Sequence, residues 1–134
     1  MENEAKKGSK VAIYVIIAVI VVAVLAVGGF FLLNANAVNS LKQETVSAEN
    51  YEDLLKKVDE KMPGQDDAYY FAYANIYYIM ESAMTATNEE EIYTKIYGKT
   101  VQQLIDEGKQ IAKDNNVTLE QIKEQIDELN KTAN

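Results

Sequence analysis

Twenty-three consecutive residues without a charged side chain, VAIYVIIAVIVVAVLAVGGFFLL at 11–33, constrain this chain more than any other feature. In lipid every backbone N–H and C=O must find its partner inside the segment, so a lone apolar span has to be a helix. At 1.5 Å per residue such a helix is about 34 Å long, against about 30 Å for the hydrocarbon core of a bilayer. Tyr14 stands near one end, and Phe30 and Phe31 near the other, where interfacial aromatics belong. The sequence predicts a transmembrane helix at 11–33, in contact with the membrane lipid bilayer.

The flanks set the orientation. Lys6, Lys7 and Lys10 precede the span, and no basic residue follows it from Asn34 to Leu41. The positive-inside rule then places residues 1–10 in the cytoplasm and residues 34–134 outside it. This outer part carries ten lysines and nineteen acids, a net charge of −9, which solubility alone accounts for. The rival reading is a cleavable signal peptide. Ala35-Asn36-Ala37 is an A-x-A pattern just after the apolar run, and cleavage there would release a soluble chain starting at Val38. An apolar signal region normally runs about 7–15 residues, which favours the anchor.

Missing residue types exclude much chemistry. The chain has no His, Cys or Trp, and its thirteen basic residues are all lysine. There is no triad nucleophile, no thiolate or imidazole metal site, no disulfide, no lipidated cysteine and no arginine fork. A net charge of −8 repels nucleic acid and anionic lipid headgroups. The reading is accordingly a non-enzyme with no nucleic-acid partner.

Beyond the span, apolar residues fall at helical spacings and nowhere alternate as a bounded strand would. Residues 34–46 are polar and weakly patterned, a juxtamembrane linker or a frayed extension of the span. Ser47 is placed as an N-cap, with Val46 and Tyr51 as a hydrophobic staple. Tyr51, Leu54, Leu55, Val58 and Met62 form one apolar stripe, which Pro63-Gly64 stops. Asp66 and Asp67 suit the start of a second helix running to about Ala86. Its first half is apolar all round apart from Asn75, the mark of a buried central helix. Asn88 opens a short third helix, with Glu91 completing a capping box, Ile92, Tyr93, Ile96 and Tyr97 on its apolar side, and Gly98 as the C′ residue. Thr100 with Gln103 caps a fourth, with Val101, Leu104, Ile105, Ile111 and Ala112 inward. After a turn at Asp114-Asn115-Asn116, Thr118 with Gln121 caps a last helix bearing Ile122, Ile126 and Leu129. The expected fold is all-α: one transmembrane helix, then a four- to five-helix extracytoplasmic bundle over 47–134.

Three short motifs have simpler uses. Gly98-Lys99-Thr100 matches the end of a phosphate-binding loop, but that loop needs a glycine where Tyr93 stands and a strand before it. Asp114, Asn116 and Thr118 match the start of a calcium loop whose required Gly and Glu are Leu119 and Gln125 here. Glu89, Glu90 and Glu91 complement a helix dipole. No cofactor, metal or catalytic residue is assigned.

The tyrosines are the chain's most unusual feature: Tyr69, Tyr70, Tyr73, Tyr77 and Tyr78 fall within ten residues. Tyr69, Tyr73 and Tyr77, at i, i+4 and i+8, share one helix face. Rigid aromatics with a polar tip serve cores and interfaces alike. A small bundle cannot cover one helix on every side, so these three are the candidate surface for a protein partner. An alternative is a carboxylate-dependent hydrolase, for which Glu81, interrupting an apolar helix, is the single candidate.

Residues 51–112 resemble a family of small bacterial lipoproteins of unknown function. The matching features are Leu55-x-x-Val58 before Met62-Pro63, the aromatic helix around Phe71, and Gly98-Lys99-Thr100 ahead of Leu104-Ile105. About half the chain is covered. The resemblance implies an extracytoplasmic helical domain at the cell envelope and supplies no activity. The chain departs from the pattern at its anchor, where those proteins carry a lipidated cysteine. Lysine as the sole basic residue, with many Ile, Asn and Tyr, suits an AT-rich bacterial genome.

Overall fold

Capping and stripe signals translate into six helices in the computed structural model, which describes residues 35–62 and 64–133, with the side chains of 35, 127 and 129–133 excepted. They are α1 (Ala35–Lys42), α2 (Tyr51–Lys61), α3 (Asp66–Ala83), α4 (Glu89–Ile92), α5 (Val101–Asp114) and α6 (Leu119–Ala133). Among the described residues the fold is all-α, with no strand beyond one isolated antiparallel bridge between Thr45 and Thr100. The expected span at 11–33 and the stripe residue Leu129 lie outside the described residues and side chains. No helix among those described is long and apolar enough to cross a membrane.

The central helix is α3. It packs against α4, α5 and α6, while α1 packs on α2 and α5. Phe71 and Ile79 of α3, Leu104 and Ile105 of α5, and Ile122 and Ile126 of α6 are all at most 1% exposed. Each such side chain contributes roughly 1.5–3 kcal/mol through its removal from water. The α2 stripe of Tyr51, Leu54, Leu55, Val58 and Met62 is buried throughout.

Capping boxes start the last two helices as expected. Thr100 Oγ1 accepts from Gln103 N at 3.1 Å while Thr100 N donates to Gln103 Oε1 at 2.8 Å. Thr118 and Gln121 exchange the same pair of bonds. Gly64, after the end of α2, has φ +69°, a left-handed turn that glycine adopts without strain.

Six local expectations are corrected. Residues 34–46 are not merely a linker: α1 forms within them, and Leu41 and Val46 are buried in the core. Ser47 does not cap α2 directly. It exchanges hydrogen bonds with Asn50 (Ser47 N to Asn50 Oδ1, 2.7 Å; Asn50 N to Ser47 Oγ, 3.3 Å), closing a turn that delays the helix to Tyr51. α3 ends at Ala83, with the N–H groups of Thr85 and Ala86 turning back onto the Ser82 carbonyl. α4 is only four residues long. Asn88 does cap it, but the Glu91 carboxylate reaches back to Thr87 N rather than Asn88 N. Gly98 does take a positive φ of +93°. It serves the tie to the Val46 strip, though, since Gly98 N donates to Val46 O and Val46 N to Lys99 O. Ile111, expected inward, is half-buried, and Gly108 takes the buried place on that side of α5.

Candidate functional site

The three tyrosines read from spacing do not form one open patch. Tyr69 and Tyr73 are half-buried against the core, and the Lys123 ammonium stands 5.2 Å above the Tyr69 ring. Tyr77 meets Tyr78 edge-on at 5.9 Å. The most open large apolar side chains near them are Met80 and Met84.

Glu81 is exposed and paired with Lys95. The Lys95 hydrogen bond, opposed by desolvation and aided by the lysine charge and Tyr77, holds its carboxyl below the ordinary carboxylate range. A general acid needs the opposite shift. Glu81 borders a shallow depression of about 470 Å³ with Lys95 and Ser82, whose buried hydroxyl has no hydrogen-bond partner among the described residues.

Lys99, the lysine of the phosphate-loop match, is engaged structurally. Its ammonium pairs with Glu107 Oε1 at 2.6 Å and lies 4.4 Å from the Tyr78 ring centroid. The Tyr78 hydroxyl donates to the same carboxylate oxygen. Burial, then the Glu107 bond and charge, push that phenol well above its usual pKa.

A different set of tyrosines builds an open site. Tyr51 opens α2, and Tyr93 and Tyr97 occupy the turns after α4. Tyr93 and Tyr97 stack, with centroids 5.2 Å apart and planes 11° from parallel, and Tyr51 meets both edge-on at 5.6 and 6.0 Å. These rings wall a cleft of about 500 Å³, a volume typical of small-ligand sites. Its rim is acidic, because the exposed residues beside the starts of α2 and α4 are Glu49, Glu52, Glu89 and Glu90. No lysine lines it among the described residues.

Electrostatics at the cleft follow from this arrangement. Burial, then Tyr97 and the carboxylates of Glu89 and Glu52, push the Tyr93 phenol well up. Burial and the carboxylates of Glu89 and Glu49 raise Tyr97. Both phenols therefore stay neutral at physiological pH. The Tyr51 hydroxyl is occupied, donating to Asn75 Oδ1 at 2.8 Å. Tyr93 is only 7% exposed, packed against Tyr51 and Tyr97.

Periodicity placed Tyr93 and Tyr97 inward and missed the cleft. The available signal was tyrosines flanked by acids in two segments, Glu49–Glu52 and Glu89–Tyr97; only the fold brings those segments together. Neither family models, nor curated proteins, nor solved structures give a match to this chain.

Proposed function

We propose that the chain is a single-pass, membrane-anchored interaction module that presents an acidic helical domain at the outer face of the membrane and contacts a protein partner through the Tyr51–Tyr93–Tyr97 cleft. The observation that carries this reading is the cleft itself: an aromatic wall and an acidic rim. The anchor rests on the charge-free run at 11–33 and the lysines before it. Leu41, eight residues after that run, is already buried in the core, which would seat the domain close to the bilayer.

Topology is checked by adding protease to right-side-out spheroplasts. Digestion of the domain with residues 1–10 protected is expected; the reverse pattern overturns the orientation. Recognition is checked with a photo-crosslinking amino acid at position 52, on the rim, and at position 110, on the exposed face of α5. A discrete adduct at 52 and none at 110 in native membranes supports a partner at the cleft. Equal labelling, or none, removes that part of the reading. A mature chain beginning at Val38 would instead identify the secreted form.

A further inference from the structure

The geometry points to the chemistry the cleft selects: we infer that it holds a basic side chain of the partner, an ammonium or guanidinium on an alkyl stem, against the half-buried Tyr97 ring beside the rim glutamates. This rests on the proposed interaction site and names what enters it. Cations are drawn to the negative faces of aromatic rings, and more strongly where water is partly excluded. The fold already uses this pairing internally, since Lys99, Lys109 and Lys123 stand 4.4, 5.7 and 5.2 Å from the ring centroids of Tyr78, Tyr70 and Tyr69. Among the described residues, no lysine stands over Tyr93 or Tyr97, and glutamates line the same cleft.

The arrangement also discriminates between kinds of cation. A hard metal ion needs several oxygens converging at about 2.0–2.6 Å. Among the described residues no three acids are grouped to provide that. The rim glutamates come from two segments, Glu49 and Glu52 around the start of α2 and Glu89 and Glu90 of α4, which suits a long side chain whose charge remains near them while its stem lies on the aromatic wall.

The test is titration of the full chain in detergent micelles with terminally blocked tripeptides centred on lysine, arginine or norleucine, and with calcium. Calorimetry reads the binding, and the ring resonances of labelled tyrosines locate it. Shifts confined to Tyr51, Tyr93 and Tyr97 with the basic peptides, and none with norleucine or calcium, are expected. The Glu52→Gln/Glu89→Gln variant removes two exposed charges, so its melt should match the parent while its affinity for the basic peptides falls about tenfold. Equal response to norleucine, unchanged affinity in that variant, or preference for calcium overturns the cation assignment. That failure leaves the crosslink at position 52 to stand or fall on its own, so the interaction reading and its chemistry are separately testable.

Discussion

Asn75 is fully buried in the middle of an apolar helix, held by two bonds: it accepts from the Tyr51 hydroxyl at 2.8 Å and donates to the Phe71 carbonyl at 2.7 Å. A buried polar group stripped of its partner costs about 1–3 kcal/mol, whereas removing both partners together costs less than the sum. Tyr51→Phe orphans the Asn75 oxygen, and Asn75→Leu orphans the Tyr51 hydroxyl. Each single variant should therefore melt at lower temperature than the parent, and the double variant should recover part of the summed loss. Strict additivity in thermal melts followed by circular dichroism would show that the bond contributes nothing. Asn75 was legible in the sequence as the one polar residue in an apolar stretch. Its partner, 24 positions away, was not, because helical spacing says which face is buried and nothing about which helix it meets.

At the scale of elements, the closest approach is between α3 and α5. A Cβ added at Gly108 would lie 2.2 Å from the Tyr70 carbonyl oxygen, which belongs to backbone and cannot swing aside. Helix propensity alone favours Ala over Gly by about 1 kcal/mol in a helix interior. Here the contact wins, and Gly108→Ala should destabilise the domain by about 2–3 kcal/mol through the forced separation of the two helices. A raised melting temperature would mean that α5 shifts freely on α3. Gly108 lies four residues after Leu104 and four before Ala112, so it sits on the inward stripe, but an apolar count passes over a glycine. The same count passed over α1, where Leu41 is a single buried anchor without a repeat. Starts were legible where a side chain closes its own backbone, as Thr100 and Thr118 do. The Ser47–Asn50 turn was misread because two capping residues compete within four positions, and each satisfies the other.

Across the whole molecule, Asp67 is a junction. From the first turn of α3 it binds Lys42 of α1 at 2.8 Å and Lys109 of α5 at 3.2 Å, tying the segment next to the apolar run onto the bundle. Burial alone would raise its carboxyl pKa, but the bonds and charges of these lysines outweigh burial and leave it below the ordinary 3.8. Asp59 on α2 is the opposite case: burial, then the Glu60 charge, raise its pKa above 3.8, and its Oδ1 is buried without a partner. The two groups must therefore contribute to stability with opposite signs. Asp67 stabilises the fold above about pH 3.8, its unfolded value, and this is lost as pH falls through its lower folded pKa. Asp59 opposes folding at neutral pH; its relative benefit belongs to the protonated state, present below the unfolded value and lost as pH rises through the folded one. At pH 7 Asp67→Asn should lose about 1–2 kcal/mol, the scale of a partly exposed charge-assisted contact, and Asp59→Asn should gain stability. As the pH is lowered the Asp59 difference should vanish below about pH 3.8, whereas the Asp67 difference should persist until the pH falls through its lower folded pKa, because a protonated Asp resembles Asn. Melts of the parent and both variants between pH 7 and pH 3 check this, and a loss for Asp59→Asn at pH 7 would refute the burial argument while leaving the Asp67 junction intact.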